Sequence, residues 1–377
     1  MIVSRHDLRG LLLLLCGLCA IGPVLAADRA QEFTPAREGY RYEFPHDHGS
    51  HDLFRTEWWY YTGHLTAKDG RAFGFQLTFF RRGVPIGQLK TLPSKWSITQ
   101  LYLAHFAISD LAKKQFHYVE KISRAGLGKA GAEPDRLHVW IERWRAESPP
   151  AQSDLHLLKA QEGDLAIDLK LSPEKALVVH GTDGISRKGT GAGQASHYYS
   201  FTRLATTGRL TIGKESFEVV GTSWMDHEFG SADLSKELVG WDWFSVQLDN
   251  QTELMLYRLR RADGSADPVS SGTFVDREGR GHHLAIGDFS IEPLSHWTSP
   301  TSKARYPQQW RLTIPSRQLT LELVPRMSGQ ELVTKRSTQV TYWEGAIEVN
   351  GAASGKPMKG WGYMELTGYA ERFSKKL

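Results

Sequence analysis

The densest run of reactive side chains in this sequence is Trp224-Met225-Asp226-His227-Glu228-Phe229-Gly230, with Gly240-Trp241-Asp242-Trp243 following ten residues later. Carboxylates, an imidazole and indoles gathered over so short a stretch can carry acid–base chemistry against an aromatic wall. On an extended backbone Asp226 and Glu228 project to one face, while Met225, His227 and Phe229 project to the other. One carboxylate buried with a raised pKa and the other left wet would make a general acid, with His227 as its neighbour. The same groups could instead tie two domains together by hydrogen bonds and packing. Three consecutive ligands on a strand point away from one another, and His227-Glu228 lacks the second His that a zinc-binding helix requires. His282-His283 alternates in the same way, so no metal is expected, and no other cofactor is implied. A Gly-x-Ser-x-Gly elbow is missing too, which leaves a serine hydrolase without its nucleophile motif.

A second set of residues opens each half of the chain. Glu57-Trp58-Trp59-Tyr60-Tyr61 begins the first half and Trp241-Asp242-Trp243-Phe244 the second. Such aromatics are either core plugs, each burying roughly 150–250 Å², or walls for a long apolar ligand or a sugar. On the ligand reading the lining is Trp58, Trp59, Tyr60, Trp224, Trp241, Trp243 and His105. Glu57 and Arg81 flank the first pair and read as a structural ion pair closing a barrel, worth little in net stability but costly to break singly.

These side chains need a β scaffold. Phe73, Phe75, Leu77 and Phe79 alternate with small or polar residues, as do Leu165 to Leu171 and Trp310 to Ile314, which is the period of a half-buried strand. The paired-Trp segments are followed by Asp69-Gly70 and Asp249-Asn250, both turn signals, and then by further strand-like sequence. Two tandem β domains meeting between Gly230 and Val239 account for the pattern. The 377 residues carry 46 Lys and Arg against 42 Asp and Glu without basic runs, which argues against a nucleic-acid partner. Arg5 and Arg9 precede a short apolar run ending Val24-Leu25-Ala26, the form of a cleavable signal peptide rather than a membrane span. Both cysteines, Cys16 and Cys19, lie inside it, so the mature chain has no thiol or disulfide. The expected divisions are 1–26 signal peptide, 27–234 first domain and 235–377 second domain, in an exported, periplasmic or secreted protein that is not an integral membrane protein.

The motifs Glu57-Trp58-Trp59-Tyr60-Tyr61-Thr62-Gly63, His105 to Asp110, Ser196-His197-Tyr198-Tyr199-Ser200, Trp224 to Glu228, Gly240 to Trp243, Tyr342-Trp343-Glu344-Gly345-Ala346 and Gly362 to Tyr369 resemble, in order, those of the AttH family. That family is related to the carotenoid 1,2-hydratases (CrtC). The resemblance implies an all-β chain of two lipocalin-like barrels, an exported product often labelled a secreted hydrolase, and an association with the AttEFGH ABC transport system. In the hydratases an acidic residue follows a Tyr on the strand after the second aromatic hairpin. Here that stretch is Leu254 to Arg260, with Tyr257 present and no carboxylate beside it.

Asp226, His227, Glu228 and Tyr257 are therefore the catalytic candidates, and the ligand class is a hydrophobic, isoprenoid or lipidic molecule. Three functions stay open. They are hydratase- or isomerase-type acid catalysis, non-enzymatic handover to an ABC exporter, and carbohydrate binding or hydrolysis.

Overall fold

The computed structural model describes residues 33–84, 98–191 and 193–373. The expected signal peptide and both cysteines lie outside the described residues. Thirteen strands between Thr56 and Gly230 form one sheet that nearly closes on itself, and ten strands between Leu238 and Thr367 form a second, half-barrel sheet. The chain is all-β in two lipocalin-like units, and the helical pieces described are 3-10 turns of three residues. No helix among the described residues is long and apolar enough to cross a membrane.

Both paired-Trp segments form hairpins. Thr56–Ala67 pairs antiparallel with Ala72–Gly83, and the turn between them places Gly70 at φ +85°, which costs a glycine little. Leu238–Leu248 pairs with Glu253–Arg261. The inward residues of the first sheet, among them Trp59, Tyr61, Phe73, Phe75, Leu77 and Phe79, build one core, and Phe244, Val246, Trp310, Leu312 and Leu321 help build the other.

The outer face of the first hairpin is not solvated. Gln76 and Thr78, which the alternation places opposite the core phenylalanines, are buried, because the second sheet covers them. A third apolar cluster fills this junction and includes Tyr60, Tyr198, Trp224, Trp243, Tyr257 and Tyr363. Polar contacts cross it as well. A register shift between Phe201 and Leu204 interrupts the strand Ala195–Ile212. Such a bulge re-aims side chains: Arg203 reaches Glu253 at 2.6 Å, and Gln247 of the second sheet donates to the Thr202 and Ser223 carbonyls at 2.8 and 3.0 Å.

Candidate functional site

Strand register brings two rows of side chains to the junction. In the first sheet His105, Thr78, Tyr60, Asp226 and Ser200 are successive cross-strand neighbours. In the second sheet the corresponding row is Ser271, Tyr257, Trp243, Glu365 and Glu344. The rows meet where the Tyr60 hydroxyl donates to Glu344 and where Trp243 Nε1 donates to the Tyr198 hydroxyl at 3.1 Å. Tyr60 and Trp243 also lie edge to face, with centroids 5.1 Å apart.

Asp226 is the centre of the first row. Tyr198 donates to its Oδ2 at 2.6 Å, and Trp224 Nε1, at 2.6 Å, and the Ser200 hydroxyl donate to its Oδ1. These donors favour the carboxylate. Burial outweighs them and pushes the Asp226 carboxyl up to about 7. Glu365 is likewise pushed up to about 7 by burial, although Thr367 and Trp241 donate to it at 2.8 and 3.1 Å. Glu344 is held well above the usual carboxylate range by burial and by Glu365 across the strand pair. Three carboxyls with raised pKa thus face an aromatic junction, and they come from both sheets. Glu365 and Glu344 stand two and three strands from Tyr257, in segments whose motifs were legible but whose direction was not.

Several expectations need correction. Glu228 does project with Asp226, but it is not wet: it is 3 % exposed, accepts from Ser196 and lies 2.8 Å from Lys188 Nζ. Lys188 turns inward over the rings of Tyr257 and Tyr198, at 4.5 and 5.4 Å. Burial works against its charge, but Glu228 beside it holds the ammonium above its ordinary value. His227 is not a partner of Asp226. It projects into the first barrel, where its Nε2 lies 2.8 Å from Glu57 and its Nδ1 2.9 Å from the Tyr199 hydroxyl. Trp59 also faces that interior, stacked on His227 at 4.8 Å and donating to the His48 carbonyl, so it is remote in direction from the other ligand-lining candidates.

Trp58, Tyr60, Trp224, Trp241 and Trp243 do pack together at the junction. His105, at the end of the same row, reaches the second sheet elsewhere, with its ring nitrogens 2.7 Å from the Tyr342 hydroxyl and 2.9 Å from Ser337. Tyr257 accepts from Ser271 at 2.9 Å and donates to the Arg187 carbonyl at 3.0 Å.

The interior network around His227 has a different character. Arg81 Nε donates to Glu57 at 2.8 Å, and its Nη2 donates to the His51 and Phe54 carbonyls. His51, Glu57 and His227 present three ligand atoms within 4.8 Å of one another. The Arg81 guanidinium already supplies the positive charge that a cation there would bring. The geometry is that of a closed barrel end, with residues 46–54 tied to the sheet. Two open concavities, of about 430 and 400 Å³, lie elsewhere, around Asn250 and Arg317 and around Gln152 and Ser172.

A family model described as AttH-like matches residues 35–369. The chain is similar to the crystal structure of a candidate AttH of Nitrosomonas europaea, with 34% identity over 89% of this chain and 99% of that one, at a TM-score of 0.80. It is similar in fold to kievitone hydratase of Nectria haematococca, at 16% identity over 90% and 98% of the two chains and a TM-score of 0.67. It also resembles CghA solved with Sch210972, at 14% identity over 91% and 98%, with a TM-score of 0.55. No curated protein matches the sequence.

Proposed function

Because the chain belongs to the AttH-like family, we propose that it performs acid–base chemistry of the hydratase or isomerase type on an apolar, electron-rich alkene held between its two barrels. The observation that carries this reading is Asp226. It is a buried carboxyl poised near neutrality among indoles and phenols, with Glu365 equally poised on the facing row. A general acid works best with its pKa near the operating pH, and two such groups suit one proton given and one taken. Protonated Asp226 gives its proton to one alkene carbon, the π pair forming the new C–H bond. The cation left at the other carbon takes up water or loses an adjacent proton, and the released proton passes to the ionised form of Glu365. Trp58, Trp224, Trp241 and Trp243 supply the faces that support the developing positive charge. An acid of this strength favours a conjugated alkene, whose cation is delocalised, which fits an isoprenoid polyene. Likeness in fold to a hydratase agrees with the reading by analogy. The leader-like first 26 residues support reading the protein as an exported one.

The test uses the chain without residues 1–26 and a panel of polyenes and prenylated compounds. Binding is expected to quench tryptophan fluorescence and to raise Tm by mass action. Asp226→Asn is expected to keep affinity and abolish turnover, since an amide has the shape of the acid without its proton. Stabilisation by oligosaccharides and not by polyenes would sink the proposal, as would full turnover in Asp226→Asn.

A further inference from the structure

A buried acid that spends its proton at every turnover has to recover one, and Asp226 is 3 % exposed. The route back is not through Tyr198 or Trp224, which are donors ending in the aromatic cluster. It is through Ser200. The Ser200 hydroxyl contacts Asp226 Oδ1 on one side and lies 2.6 Å from His180 Nε2 on the other. His180 Nδ1 is 2.8 Å from the Thr273 hydroxyl of the second sheet. Thr273 pairs across its strand with His283, whose residue is exposed. His180 follows the short strand Val178–Val179, which pairs with Tyr199 and Ser200, so backbone register fixes its distance from Ser200. Asp226, Ser200, His180 and Thr273 therefore form one line of hydrogen-bonding groups from the acid across the junction towards an exposed edge.

Resting on the acid reading above, we propose that His180 is a positioning residue for Asp226, a relay that returns protons to it from the Thr273–His283 edge. Ser200 has one hydroxyl proton and two neighbours. With Asp226 ionised, Ser200 donates to the carboxylate and His180 donates from Nε2 to Ser200. A proton arriving at Nδ1 lets Nε2 release its own to Ser200, whose former proton moves to Asp226. One proton enters, one carboxylate is neutralised, and the imidazole ends as the other neutral tautomer. The groups around His180 suit a relay that does not itself store the proton. Burial, with Lys188 and His283 adding like charge, lowers the ring to about 3, and Tyr198 packs on it at a centroid distance of 4.4 Å. The imidazole stays neutral at working pH and passes protons without trapping them.

The test needs no substrate. In infrared difference spectra, with Asp226→Asn to assign its band, the Asp226 carboxyl is followed after a pH jump. His180→Gln keeps a polar side chain but has no exchangeable nitrogen pair, and it is expected to slow protonation of Asp226 by roughly tenfold or more while leaving the pKa near its wild-type value. Thr273→Val, which leaves the imidazole in place and removes its outer partner, is expected to slow it likewise. Added imidazole should restore the rate in His180→Gly. Equal rates in the wild type and both variants would overturn the relay and leave the acid reading intact, as would a changed pKa with an unchanged rate. An Asp226 band that fails to titrate between about pH 5 and 9 would instead overturn the acid reading.

Discussion

Asp226 and Glu57 are both buried carboxyls, and their surroundings drive them in opposite directions. Asp226 has neutral donors and no cation in contact, so burial raises its pKa. Glu57 is buried too, but Arg81 and His51 hold it well below the ordinary carboxylate value. Their contributions to stability consequently run in opposite senses with pH. Asp226 binds its proton more tightly folded than unfolded, so its contribution is complete below pH 3.8 and is lost as pH rises through about 7. Asp226→Asn is expected to remove that loss, on the order of 4 kcal/mol across the window, and thermal melts from acid to neutral pH would show it as a flatter profile. A profile as steep as the wild type would mean that the carboxyl is ionised throughout. Glu57→Gln strands the Arg81 guanidinium in the barrel, and the expected cost is about 3–5 kcal/mol in denaturant melts. A cost near zero would show that the pair is dispensable for closure.

The strand Ala72–Gly83 serves both barrels: its phenylalanines fill the first core and its other face meets the second sheet. Gly74 is a point of close approach, since a Cβ there would lie 2.5 Å from the Tyr363 hydroxyl and 3.0 Å from the Ala346 Cβ. Gly74→Val should wedge the sheets apart and destabilise the protein by about 1–3 kcal/mol. Tyr363→Phe, which removes the nearest atom, should recover part of that loss in Gly74→Ala. If the double variant melts no higher than Gly74→Ala alone, the hydroxyl is not what limits the approach. The bulge at Phe201–Leu204 does related work by aiming Arg203 at Glu253. Pro or Gly signals in the sequence do not mark it, because the bulge is set by what the strand must reach.

Across the whole molecule, Glu57 at the closed end needs its charge, whereas Asp226, Glu365 and Glu344 at the junction resist theirs. Glu57 stabilises when ionised, and that contribution is present above its unfolded value of 4.5 and lost as pH falls below it. Asp226 and Glu365 stabilise when protonated and lose that contribution as pH rises towards 7. Stability is therefore expected to peak on the acid side of neutrality, near pH 5, with the junction loosening first above it and the barrel end first below it. Hydrogen exchange mapped at about pH 5 and 8 would check this: greater exposure at the higher pH is expected in Tyr342–Ala346 and Trp224–Glu228. Uniform loss across both barrels would contradict the division.

The residues that alternate, from Phe73 to Phe79 and from Trp224 to Gly230, determined the strands, the two halves and which side chains share a face, because a strand's period of two is fixed by backbone geometry. The paired-Trp hairpins and the family motifs were legible for the same reason. What covers each face was not. Gln76 and Thr78 read as a solvated side, and they are buried because a sheet more than a hundred residues away packs on them, while Glu228 is buried beside Ser196 and Lys188. Asp226 and His227 are adjacent in the chain yet belong to separate networks, one shared with Tyr198 and Ser200 and the other with Glu57 and Tyr199. Glu344 and Glu365 join the acid row through strand order, and His180 joins it because the preceding Val178–Val179 pairs with Ser200 and Tyr199. Strand order and sheet-on-sheet contact depend on long-range packing that no local spacing encodes, so the tertiary structure alone decided which acids stand together, how dry they are and where their protons are held.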